Sequence, residues 1–170
     1  MQEPLLFSEK QKFRLPVYVI FLGVPLLFLY GIYVQLIEGR PWGNNPVSNG
    51  WLIATFTLTL LFTLFFVIAK LETRITKEGV YVRFFPIHRS FKFFPWSKIS
   101  IAYVCDYKPI GEYGGWGIRK SANATAYTTS GKTGLQLRLI GGRKVLIGTR
   151  KPDEINSVLG KINHRNEIST

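Results

Sequence analysis

Two long stretches of the chain carry no charged side chain. From Pro16 to Ile37 the only strongly polar residue is Gln35, and from Trp51 to Ala69 the interruptions are threonines. A helix needs about 20 apolar residues to cross a ~30 Å hydrocarbon core, and a small soluble fold cannot bury two helices that are apolar on every face. Both stretches are read as transmembrane helices, with the threonine hydroxyls returned to the helix backbone. Pro25 cannot donate to the Phe21 carbonyl and should kink the first helix. Thr55, Thr59 and Thr63 recur on one face of the second helix, and Gly23 and Gly31 lie two turns apart on the first, so these faces are expected to pack together or against another subunit. The bases at Lys10, Lys12 and Arg14 resemble the charged end of a signal peptide, but the apolar run is longer than usual and ends at Gln35-Leu36-Ile37-Glu38 without a small-residue cleavage pattern. It is read as an uncleaved span.

Beyond Lys70 the pattern shortens. Runs from Leu71 to Thr76, Gly79 to Phe85, Arg89 to Phe94, Ile99 to Tyr107, Ile118 to Thr128, Gly134 to Ile140 and Lys144 to Thr149 read as seven strands bounded by turn residues. Val80-Tyr81-Val82-Arg83-Phe84 and Leu135-Gln136-Leu137-Arg138-Leu139 alternate apolar with polar, the mark of a half-buried antiparallel sheet. Glu78-Gly79 and Gly141-Gly142 supply tight turns. Pro152-Asp153-Glu154 opens a last helix whose apolar stripe is Ile155, Val158, Leu159 and Ile162. The chain thus divides into an N-terminal segment (1–15), a first span (16–37), a turn-rich loop (38–50), a second span (51–69), a β domain (70–163) and a tail (164–170).

Charge adds orientation. The 170 residues hold 22 Lys and Arg against 10 Asp and Glu. Lys10, Lys12 and Arg14 precede the first span and Lys70, Arg74 and Lys77 follow the second, whereas the loop between them has only Arg40, so both termini are assigned to the cytoplasmic side of the inner membrane. Trp42 and Trp51 then sit near the opposite interface. From Lys70 onward there are 18 bases and 7 acids, so the β domain is the basic part and suits an anionic partner. A single cysteine, Cys105, excludes an internal disulfide and fits a reducing compartment, where the Asn123-Ala124-Thr125 sequon goes unglycosylated.

Glu78-Gly79-Val80, Pro95-Trp96-Ser97-Lys98-Ile99, Tyr113-Gly114-Gly115-Trp116-Gly117-Ile118-Arg119 and the ending Gly134 to Glu154 give the region from Leu71 to Asn163 a resemblance to bacterial pleckstrin-homology-like (PH-like) domains. The whole chain resembles small bacterial membrane proteins that carry two spans ahead of such a domain. The resemblance implies a seven-stranded, partly open barrel capped by a C-terminal helix and used as a binding or assembly module, with no catalytic residues. Phosphoinositide-gripping relatives place bases between their first two strands. Here that connection is only Thr76-Lys77-Glu78-Gly79, so no specific phosphoinositide pocket is expected.

Chemistry is sparse. Ser130-Gly131-Lys132-Thr133 ends like a phosphate loop but has Ala126 where the first glycine belongs. His88, His164 and Cys105 lack partners at metal-ligand or nucleophile spacing, and nothing separates Asp106 from Glu112 as an acid/base pair. Two surfaces remain. The run Arg83 to Trp96 interleaves bases with rings, and Lys70, Arg74, Arg83, Arg89 and Lys92 are candidate contacts to a membrane surface, although half the rings have an alternative place in the core. Gly111, Gly114, Gly115 and Gly117 surround rings, and Tyr113, Trp116 and Arg119 form a candidate recognition surface; a bulged strand would use the same glycines. The expectation is a non-catalytic, cofactor-free module at the inner leaflet. Its partners are the bilayer with anionic head groups and a protein partner or second copy, but not nucleic acid, which lacks a recognisable signature here. The alternative is an accessory subunit of a transporter or membrane-enzyme complex.

Overall fold

The computed structural model describes residues 4–162, and the tail from His164 lies outside them. The chain forms two compact units, one of residues 13–69 and one combining the N-terminal segment up to Lys12 with everything from Lys70.

The first unit is a helical hairpin. Helix α1 (Leu15–Ile32) continues into a π-helical turn, Tyr33–Ile37, and α2 runs Asn49–Ile68. Both are long and apolar enough to cross a membrane, and few of their residues are buried in the fold. The carbonyl of Phe21, which Pro25 cannot serve, accepts the Thr63 hydroxyl from α2 at 2.6 Å. Thr55, Thr57 and Thr59 bond to carbonyls of their own helix. The expectation that the glycines oppose the threonines is corrected: space around Gly23 is open, and Gly31 is covered by the Trp42 ring, which leaves no room for a Cβ. Phe21 also stacks on Phe66, with ring centroids 4.3 Å apart. Small residues therefore contribute less to this contact than one hydroxyl and a ring stack.

The second unit is two sheets and a helix. The first sheet has the order β1 (Leu5–Lys12), β2 (Lys70–Thr76), β3 (Gly79–Phe85), β4 (Lys92–Pro95), all antiparallel. The second is made from β5 (Ile99–Asp106), β6 (Gly117–Lys120), β7 (Ala124–Thr128), β8 (Thr133–Leu139) and β9 (Lys144–Gly148), in the order β5-β8-β9-β7-β6. Three differences from the sequence expectation stand out. The N-terminal segment supplies a strand, Ile118 to Thr128 divides into two strands about Ser121–Asn123, and the second sheet is mixed because β7 and β9 run parallel. The two sheets do not close into a barrel.

Inward residues of the first sheet lie opposite one another in register: Gln11 with Leu71 and Phe84, Glu9 with Thr73 and Val82, Phe7 with Ile75 and Val80. With Leu135, Leu137, Val145 and Ile147 they form the core. The Glu78 turn works because Gly79 lies against β4, where a Cβ would meet the Phe94 carbonyl and the Pro95 Cα. Helix α4 (Pro152–Lys161) starts on a proline with Asp153 and Glu154 in its first turn, and buries Ile155, Val158 and Leu159 against β1, β5 and β8. Each such side chain contributes about 1.5–3 kcal/mol when fully buried.

Polar residues on β1 tie the sheets together. Glu9 is buried and accepts from the Thr149 hydroxyl at 2.7 Å and the Arg150 amide at 2.9 Å. Gln11 donates to the Gly148 carbonyl at 2.7 Å and accepts from Thr129 at 3.2 Å. The Arg150 guanidinium then spans Ser130 and the Lys12 carbonyl. A strand with a carboxylate and an amide facing inward is tolerable because their partners are already in place.

Candidate functional site

The other face of the first sheet is polar and aromatic. Its cross-strand rows are Lys12, Lys70 and Phe85; Lys10, Glu72 and Arg83; Ser8, Arg74, Tyr81 and Phe93. Five bases therefore share the face with one acid, and Lys12 lies directly opposite Lys70, a pairing that costs stability in an antiparallel sheet. Glu72 answers part of this charge, with Lys70 Nζ at 2.9 Å and Arg83 at 2.6 Å. Burial opposes ionisation of Glu72, but hydrogen bonds from Lys70 and Arg83 together with their charges outweigh it and hold the carboxyl below its ordinary range. The guanidinium groups of Arg74 and Arg83 both lie over the Phe91 ring, each 4.5 Å from its centroid. Lys70 also lies 5.4 Å over Phe85, and Tyr81 stacks on Phe93 at 4.4 Å. Cation–π contacts of this kind keep long basic side chains extended over rings while their polar ends stay wet.

Three of the five bases singled out in the sequence, Lys70, Arg74 and Arg83, come together here. Arg89 is exposed in the β3–β4 connection and lends only its carbonyl, to Arg83. Lys92 leaves the group: it lies opposite Val82 on the inward side and donates to the Tyr127 hydroxyl at 3.2 Å. The sequence reading missed Lys10 and Lys12, which join the face only through β1. An alternation of Ser8, Lys10 and Lys12 with Phe7, Glu9 and Gln11 was its signal.

The glycine-rich segment has a different build. A single helical turn, α3 (Pro109–Tyr113), ends at left-handed Gly114, whose amide bonds to the Ile110 carbonyl, and the Gly115 amide bonds to Pro109. Gly115 and Gly117 have φ of 114° and 115°, conformations that admit glycine readily and a side chain rarely. The glycines thus turn the chain from α3 into edge strand β6. Tyr113 packs beside buried Tyr107, Ala126 and Leu146, a small core on the second sheet. Trp116 remains 41% exposed while its indole donates to the Gly131 carbonyl, and Ile110 is 74% exposed. Arg119 is exposed, with its guanidinium close to Gly115. Of the candidate trio, Tyr113 is held as a packing residue, and Trp116 and Arg119 stand at the surface. Burial, then the charges of Glu112 and Asp106, pushes the nearby Cys105 thiol up, and burial carries the Tyr107 phenol to about 12.

Two apolar helices joined to a two-sheet β unit with a basic outer face define the class of protein to which this chain belongs. Residues 1–162 match the family of unknown function DUF6141, and the chain is a member of it. No curated protein matches the sequence.

Proposed function

We propose that the protein is a membrane-anchored, non-catalytic binding module of PH-like type, with both termini at the inner face of the cytoplasmic membrane and the outer face of the first sheet turned to anionic lipid head groups. The observation that carries this reading is the row Lys12, Lys70 and Phe85 with its neighbours Lys10, Arg74 and Arg83. Lys12 and Lys70 are paired like charges, and each lies within three residues of an apolar helix. With Lys70 and Arg83 paired to Glu72, the face still holds five bases against one acid, and an external anion offsets that excess at about 1 kcal/mol per base near an anionic surface. The PH-like comparison is supported by two sheets and a C-terminal helix, while the parallel β7–β9 pair and the open arrangement depart from it.

Amine acetylation of the full chain in nanodiscs tests the reading. Lys10, Lys12 and Lys70 should react more slowly in phosphatidylglycerol than in phosphatidylcholine, and high salt should remove the difference, while Lys144 serves as the reference. Equal rates for the three lysines in both lipids would refute it. A second reading, an accessory subunit of a larger membrane complex, is favoured by the exposed Ile110 and Trp116 beside edge strand β6.

A further inference from the structure

A second basic cluster lies away from the outer face, at the margin between the two sheets. Strands β4 and β6 are both sheet edges. Lys92 extends from β4 to Tyr127 on β7, with Nζ 3.2 Å from the hydroxyl and 5.6 Å from the ring centroid. Tyr127 lies opposite Ile118 in the β6–β7 ladder, which places Lys120, two residues along β6, on the same side of the sheet. His88, from the β3–β4 connection, meets the Tyr127 ring edge-on at 5.8 Å, and its Nδ1 is buried without a partner. Arg89, next in the chain, is exposed.

We propose that His88, Lys92, Lys120 and the Tyr127 hydroxyl form a binding site for a phosphate dianion, either free inorganic phosphate or the phosphomonoester of a lipid head group. Lys92 from the first sheet meets the Tyr127 hydroxyl of the second beside the His88 ring, with Lys120 on the same side of the second sheet, and an ammonium carries three donors, of which Tyr127 takes one from Lys92. Burial first, then the charges of Lys92 and Lys120, lowers the His88 pKa and keeps the ring neutral. A dianion between the lysines reverses the sign of the field at His88, so binding takes up a proton there. Reciprocity requires affinity to rise as pH falls through the His88 titration. The site is independent of the outer face of the first sheet, because it uses neither its lysines nor Phe91.

The full chain in phosphatidylcholine nanodiscs, with ring-labelled histidine, gives the test, the His88 resonance being identified by its loss in His88→Gln. Inorganic phosphate should raise the His88 titration midpoint by about one unit, the size expected of an opposite charge a few ångströms away. Lys92→Gln and Lys120→Gln should each raise the phosphate-free midpoint and remove most of the phosphate response. A shift with phosphatidic acid in the disc but not with free phosphate assigns the ligand to the head group and sustains the site. No shift with either, or the same shift from sodium chloride at equal ionic strength, overturns it.

Discussion

Replacing Thr63 with valine removes one hydroxyl and keeps the volume, so it isolates the bond to the Phe21 carbonyl. Thr63 is buried, and its hydroxyl has two acceptors within reach, Phe21 at 2.6 Å and Thr59 at 2.8 Å. One hydroxyl carries one proton, and Phe21 is the acceptor that needs it, because Pro25 stands where the helical donor belongs. Interhelical bonds in membranes average about 0.6 kcal/mol with a maximum near 1.7, and a buried carbonyl left without a donor costs about 1–3 kcal/mol. Thr63→Val should therefore cost about 1–2 kcal/mol, a 5- to 30-fold change in the ratio of packed to separated hairpin. Pro25→Ala returns an amide to the Phe21 carbonyl, so the same Thr63→Val change should cost little in that background. Both backgrounds can be measured by steric trapping of the full chain in mild detergent, as a double-mutant cycle. Equal costs in the two backgrounds would refute the idea that Thr63 substitutes for the amide Pro25 lacks.

Three further outcomes are expected. Glu9→Ala removes the acceptor of both the Thr149 hydroxyl and the Arg150 amide and should lower β-unit stability by about 2–4 kcal/mol, with Glu9→Gln losing less; tertiary circular dichroism during denaturation of the full chain reads this, and a loss under 1 kcal/mol would contradict the seam. Because the Glu72 pKa is lowered by folding, its contribution is present above the unfolded value of about 4.3 and is lost as pH falls through the folded value, so the stability gap between wild type and Glu72→Gln should shrink in acid; a gap independent of pH would exclude the mechanism. Trp116→Ala loses an indole that is partly exposed and makes one hydrogen bond, and should destabilise the fold by no more than about 1–2 kcal/mol in thermal unfolding, whereas Tyr113→Ala, which empties part of the small core, should cost more.

The helices were readable because an uncharged run of spanning length has few other uses, and the Pro25 defect was readable down to the carbonyl it leaves bare. Its partner was within sight, since Thr63 had been placed on the right stripe, but the glycines drew attention to the wrong contact. Strands β3 and β8 showed themselves by alternation, and β2 and β9 as short β-rich runs bounded by turn residues. Strand β1 did not, because its inward positions alternate as Phe7, Glu9 and Gln11, and a carboxylate reads as outward until its donors are known. Those donors lie at Thr149 and Arg150, near the other end of the chain. The same gap hid two of the five bases of the outer face, since Lys10 and Lys12 acquire neighbours only through β1. At the recognition candidate, composition could not separate the ring that packs, Tyr113, from the ring that stands out, Trp116.

The pairing of β1 with β2 also fixes an order of events. The strand is synthesised before both helices, yet every residue it bonds to in the sheet comes after α2, so it must wait through synthesis of the whole of Phe13–Ala69. Closing so long a loop in a free chain carries an entropic cost that grows with its length, and a hairpin whose two helices already hold each other shortens the search. Strand pairing further requires that the segments before the first helix and after the second share one compartment. A chain whose segments before α1 and after α2 were held apart could not complete its first sheet, and would leave the β2 edge unpaired and the Thr149 hydroxyl and the Arg150 amide without their Glu9 acceptor. Completion of the β unit is thereby a check on formation of the hairpin, built into the sequence order itself.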